Sequence, residues 1–147
     1  MESLSFGHHS VRAADNNGYT ACNALQEAVE LVKVADGIGI NGTYLRVHHY
    51  LPQHASPIPL LPAMVAVTEN VEVGSGVIDM RYENPLYLAE KAAALDLLGN
   101  GHIALGVSCG SSEAAERGCE SFGYTGSTDP RGTDIAYQHF DTFLRAV

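Results

Sequence analysis

At 147 residues the chain is long enough for one domain with a real hydrophobic core. Its formal net charge of -9, with only eight lysines and arginines, argues against a nucleic-acid or anionic-membrane surface. No apolar run approaches membrane-spanning length, and Met1 to Ser10 lacks the basic start and apolar middle of a secretory leader, so a cytoplasmic location is expected.

Four short apolar segments read as β-strands, each followed by a helical pattern. The first is Leu4-Ser5-Phe6-Gly7. The helix after it is the clearest: Ala24, Leu25, Ala28, Val29, Val32 and Ala35 recur at helical spacing, with Glu27 and Glu30 on the other face. Gly37 or Gly39 can end it. The second strand, Thr43 to Val47, leads to a proline-crowded helix from roughly Ser56 to Thr68, with Ser56 as candidate N-cap. Pro62 would distort that helix if it began as early as Pro57, so a start near Pro59 is expected. The third strand, Val71 to Ile78, has the continuous apolar character of a strand covered on both faces. Asn84 as cap, Pro85 at the first position and Gly99 as stop frame the third helix. After the fourth strand, Ile103 to Val107, the stretch from Ser108 to Gly132 is rich in Gly, Ser, Asp and Thr. It reads as a long loop with one short helix around Glu113 to Cys119, and long loops in compact domains are often functional. The last helix starts near Thr133 and sets Ile135, Phe140, Phe143, Leu144 and Val147 on one face.

Strand and helix thus alternate in units of roughly thirty to forty residues, the pattern of a parallel α/β architecture in a single domain over 1–147. In such proteins ligands gather at the C-terminal ends of the strands. That places weight on Leu45 to Pro59, where His48 and His49 follow a β-branched and aromatic run. Imidazole is the side chain best suited to move a proton near neutral pH. Adjacent residues on a strand point to opposite faces, so at most one of the pair aims into a site. A histidine at this position can equally serve only to hydrogen-bond a neighbouring loop. Cys22, Cys109 and Cys119 are odd in number and widely spaced, which fits neither a zinc pattern nor a disulfide framework, and no metal is expected. The glycine-rich run Gly106-Val107-Ser108-Cys109-Gly110 matches neither the dinucleotide nor the triphosphate fingerprint.

Several segments taken in order resemble the N-terminal half of the bacterial-luciferase-like flavin-dependent monooxygenases. They are Leu45 to His49, Ser56-Pro57, Val71 to Ile78, and Asn84-Pro85 leading into Leu88-Ala89-Glu90. Next come Leu95 to His102, Leu105 to Gly110, and Ser121-Phe122-Gly123. The resemblance runs from Leu4 to Val147 and implies a TIM barrel of which these units are about half. A closed barrel takes roughly 250 residues. Half of one leaves its first and fourth strands as edges, and exposed edges are normally paired or shielded. The chain is therefore expected to be truncated, or completed as a homodimer or by a second half-barrel.

The resemblance also implies roles. His48 takes the place of a catalytic histidine near the flavin, and His49 is the structural member of the pair. A glutamate commonly precedes them in the family, where this chain has Val47. The Gly76–Val77 peptide corresponds to a non-proline cis bond under the flavin ring, which makes Gly76 and Val77 cofactor contacts; the residues by themselves read equally as a bulge or bend at a strand end. Ser108 and Cys109 lie beside the reactive edge of the flavin, and Cys109 stands where an arginine is frequent, as does His102. Neither replaces a guanidinium fork, which weakens anion binding. Phe6, with the loop His8-His9-Ser10, lines the substrate side. The activity implied is oxidation of a small organic substrate by reduced flavin and oxygen, with FMN as cofactor. A deazaflavin coenzyme used for hydride transfer is the close alternative, and a non-catalytic half-barrel that self-associates or partners a full-length relative is the other. A small flavodoxin-like domain fits the unit count but lacks that fold's phosphate loop.

Overall fold

The computed structural model describes residues 3–6, 20–49, 54, 56–110, 121–122, 127, 129 and 131–147, the first segment by its backbone. Its strands are β1 (Ser3–Phe6), β2 (Gly42–Arg46), β3 (Glu72–Asp79) and β4 (Ile103–Ser108). They alternate with α1 (Ala21–Gly37), α2 (Leu60–Val65), α3 (Pro85–Leu98) and α4 (Thr133–Ala146). The sheet order is β1-β2-β3-β4 and each neighbouring pair is parallel. Every unit therefore steps one strand further in the same direction, as in a singly wound barrel. A flavodoxin-like order, which reverses at its first strand, is excluded.

Helix termini follow local chemistry. Thr20 caps α1 in a reciprocal box: the Asn23 N–H donates to Thr20 Oγ1, and the Thr20 N–H donates to Asn23 Oδ1 at 2.9 Å. Asn84 accepts from the N–H groups of Leu86 and Tyr87, both at 3.1 Å, with Pro85 opening α3 and Gly99 closing it. The second helix is shorter than its sequence suggests. Ser56 is exposed and does not cap it. Pro59 occupies the cap position, and the Pro57 carbonyl accepts from Leu60 and Leu61 at 3.0 and 2.9 Å. This start leaves Pro62 in the first turn, where an N–H has no helical acceptor.

The two faces of the sheet have different chemistry. Leu45 and Val73 point toward the helices and are almost wholly buried against Ala28 and Val32 of α1 and Leu61 and Met64 of α2. A second cluster joins Ile78 and Met80 to Leu88 and Ala92 of α3 and to Ala136 and Phe143 of α4. The buried face of α4 is narrower than expected. Ala136, Phe140 and Phe143 pack inward, but Leu144 and Val147 are 53% and 66% exposed, beyond the reach of α3. The opposite face carries Gly42, Tyr44 and Arg46 of β2 and Glu72, Gly74 and Gly76 of β3. A side chain at Gly74 would meet the Tyr44 ring, which confirms that the two share a face. There the Tyr44 hydroxyl donates to Glu72, and that bond, with burial and the Glu72 charge, raises the phenol above its ordinary pKa.

One clamp fixes where β3 starts. Asp36, at the end of α1, accepts from the backbone N–H groups of Glu69, Asn70 and Val71 at 2.8, 3.0 and 2.8 Å. Burial pushes its carboxyl up, but the three donors outweigh it and hold the group below the ordinary carboxylate range.

Candidate functional site

Because the sheet is parallel, the C-terminal ends of β2, β3 and β4 meet at one rim. Phe6 ends β1 at the same rim, in register with Leu45. Its side chain, and the loop His8-His9-Ser10, lie outside the described residues, as does the helix expected around Glu113 to Cys119.

The paired histidines follow β2 rather than ending it. Val47 bridges to His54, and the His48 N–H donates to the His54 carbonyl at 2.9 Å. The half-buried His48 ring places Nδ1 3.0 Å from the His49 carbonyl. A carbonyl only accepts, so in that bond Nδ1 carries the proton. His49 turns elsewhere. Its ring stands edge-on to Tyr82 and Phe122, with centroids 5.2 Å away in each case, while Tyr82 and Phe122 stack at 4.5 Å.

In β3 the backbone leaves its ladder where the sequence reading places the cofactor contact. Ser75 pairs with Leu45 but Val77 pairs with Arg46; on the other side Ser75 pairs with Leu105 and Ile78 with Val107. Gly76 is thus skipped in the pairing with β2, and Gly76 and Val77 together stand opposite Gly106 of β4; both are exposed. The expected cis bond is a correction: no described peptide is cis, and the irregularity is a bulge built from trans peptides. Gly106 makes room for it, since a Cβ there would collide with the Gly76 carbonyl.

Ser108 and Cys109 sit on another part of the rim. Ser108 Oγ accepts from the Gly110 N–H at 2.9 Å, and Cys109 is exposed. Together with Met80, Val107, Tyr137 and Phe140 they line a pocket of about 230 Å³ between β4 and α4. His48, Gly76 and Val77 are not among its lining residues. The structure thus brings Gly76 and Val77 together and Ser108 and Cys109 together, as two sub-sites of one rim. His102, exposed just before β4, is at the opposite end of the sheet, so its identity does not affect charge at the rim.

Sequence reasoning missed the ion pair that holds the rim. Arg81 Nη2 lies 2.5 Å from Asp79 Oδ2, with both side chains nearly buried, and Nη1 donates to the Arg131 carbonyl at 3.0 Å. Its guanidinium carbon also lies 4.9 Å from the Tyr82 ring centroid. Gly110, at φ +73°, lies so close to the pair that a Cβ would strike both partners. The one available sequence signal was an arginine two residues past an aspartate at a strand end, in a chain poor in basic residues. The His139 ring, with Nδ1 2.7 Å from the Met80 carbonyl, ties α4 to the same corner. Among the described residues no three His, Cys, Asp or Glu side chains gather as metal ligands, and no helix is long and apolar enough to cross a membrane.

Comparison with known proteins places this arrangement. Residues 3–144 match the family model described as luciferase-like monooxygenase. The oxygenase component of the flavin-dependent trigonelline monooxygenase of Acinetobacter baylyi is 28% identical over 118 residues, covering 79% of this chain and 30% of that protein. The oxygenating constituent of 3,6-diketocamphane monooxygenase of Pseudomonas putida, solved in complex with FMN, superposes with a TM-score of 0.78 at 19% identity. That match covers 97% of this chain and 38% of the other. The coenzyme F420 dependent tetrahydromethanopterin reductase of Methanopyrus kandleri matches with a TM-score of 0.59 at 17% identity, over 83% of this chain and 29% of the other. The structural matches establish the fold, and this chain spans about a third of the length of the proteins it resembles.

Proposed function

We propose, on the premise that this chain belongs to the luciferase-like monooxygenase family, that it is one half of a flavin-dependent oxidoreductase acting on a small organic substrate with reduced flavin and oxygen. Its four β/α units form about half of a TIM barrel, read here as a single domain over 1–147. One observation carries this reading. On the face that no helix covers, β3 bulges at the exposed residues Gly76 and Val77, at the same rim to which the chain leaving β2 carries His48.

A flavin fits this face. At the bulge, Gly76 of β3 and Gly106 of β4 leave backbone without side chains, which a planar ring can approach, whereas Gly74 is buried beside the Tyr44 ring. FMN is the cofactor proposed, and a deazaflavin coenzyme is the alternative. When bound, the flavin supplies the oxygen chemistry. Gly76 and Val77 would hold the flavin at the bulge, and Ser108 and Cys109 would contact it from the end of β4. His48 would take or return a proton at the rim, and Phe6 is assigned to the substrate side. The tautomer of His48 is set by the His49 carbonyl, which does the orienting that a carboxylate at position 47 would otherwise do.

β1 and β4 each have one partner in the sheet. Completion by a second copy or a complementary half is therefore part of the proposal, and so is the dependence of flavin binding on it. The second reading is a non-catalytic half-barrel that self-associates or joins a full-length relative. It is favoured by the separation of the Ser108 and Cys109 pocket from the bulge. Titration with FMN, followed by flavin fluorescence alongside a sizing measurement, separates the two. Saturable quenching in a dimeric species supports the enzyme. A monomer that leaves FMN fluorescence unchanged removes the enzymatic reading for this chain.

A further inference from the structure

Arg46 is the last residue of β2, and its side chain is exposed. Leu45 points into the helix-side core, so alternation along the strand turns Arg46 onto the glycine-floored face with Tyr44. Its register partner is Val77, the exposed residue of the bulge, and His48 lies two residues further on. The guanidinium makes no ion pair or hydrogen bond among the described residues. The nearby carboxylates are occupied elsewhere. Asp79 is held by Arg81, and Glu72 accepts from Tyr44 at the start of the face, roughly 13 Å away along the strand. In a chain of net charge -9, this places an unneutralised cation beside the backbone floor at the ligand end of the sheet.

We propose that Arg46 is a specificity-determining residue that receives an oxyanion, a carboxylate or a phosphate, of a molecule lying on this face. The proposal rests on the reading of the rim as a ligand site and deepens it by naming the charge of the ligand. A guanidinium offers a planar fork of donors that matches two oxygens of a carboxylate or phosphate at once. Two sources share this chemistry, the carboxylate of a substrate and the phosphate of FMN. The loss of arginine at Cys109 is then no loss of anion recognition, because the fork is carried on β2 instead.

The test titrates the chain with benzoate, with its neutral amide benzamide, and with inorganic phosphate, by ¹H–¹⁵N NMR. Wild type is compared with Arg46→Gln, Arg46→Lys and, as a control for net charge, Lys33→Gln on the exposed side of α1. Expected is saturable binding of the anions but not benzamide, with shifts at residues 46–48 and 76–77. Affinity should fall at least tenfold in Arg46→Gln, fall less in Arg46→Lys, and stay unchanged in Lys33→Gln. A second arm compares FMN with riboflavin. Loss of FMN preference in Arg46→Gln alone assigns the phosphate, and equal flavin affinities with Arg46-dependent benzoate binding assign the substrate carboxylate. Absence of anion binding in wild type, or equal affinities in Arg46→Gln and Lys33→Gln, overturns the proposal. The anion arm contains no flavin, so failure of FMN to bind counts against the flavin reading without touching Arg46.

Discussion

The two faces of one sheet obey different rules. Toward the helices, Leu45, Val73 and Ile78 are at most 1% exposed and interdigitate with four helices. On the other face the same strands carry glycines, an exposed arginine and a hydrogen-bonded tyrosine–glutamate pair. Packing dictates residue choice on the first face through volume. On the second, the absence of side chains is itself the feature, because the bulge needs Gly106 and leaves backbone open at Gly76. The core is thus written on one side of these strands, and the ligand site proposed above lies on the other.

Mutations can break or sharpen that contrast. The largest effect is expected on the helix side: Leu45→Ala should lose about 2–5 kcal/mol, through lost burial and a cavity that α1 and α2 cannot close. Chemical denaturation measures it. Gly106→Val comes next, at about 1–3 kcal/mol, because the added side chain must displace the Gly76 carbonyl. Its signature is a changed amide spectrum at Gly76 and Val77 as well as a lower midpoint. Asp36→Asn should lose about 1–2 kcal/mol near neutral pH, by weakening three charge-assisted bonds. Since the folded carboxyl is held below the ordinary carboxylate range, the wild-type advantage is present above that range and disappears as pH falls through the lower folded value. Acid titrations of the two proteins should therefore converge at low pH. The smallest change in stability, within about 0.5 kcal/mol, is expected for His48→Gln, which keeps a polar side chain at a half-buried site. If the half-barrel is completed as proposed, the same change should lower turnover while leaving flavin affinity within about twofold, which a kcat measurement beside a flavin titration reads.

Local chemistry made most of the scaffold legible. Asn84-Pro85 and Gly99 bracket α3 as expected, and the α1 periodicity picks out the buried Ala24, Ala28, Val32 and Ala35. Failures arise where a partner distant in sequence decides. Ser56 had the right residue type for a cap, but the helix begins beyond it. Leu144 and Val147 continue the α4 stripe with no neighbour to cover them. The Asp36 clamp spans more than thirty residues and leaves no local trace. At the rim, the position of the backbone irregularity was readable from the glycines around Ser75, whereas its form, a trans bulge, depends on register with both neighbouring strands. Likewise the Asp79–Arg81 pair is two residues apart in the chain but gains its meaning from Arg131 and Gly110.

That knot at Arg81 has a mechanical consequence. One guanidinium joins the end of β3 to the turn leading into α4, and Gly110, two residues past β4, packs closely against it, so a shift in one of these connections is felt by the others. Lengthening any of them would tear the others from register.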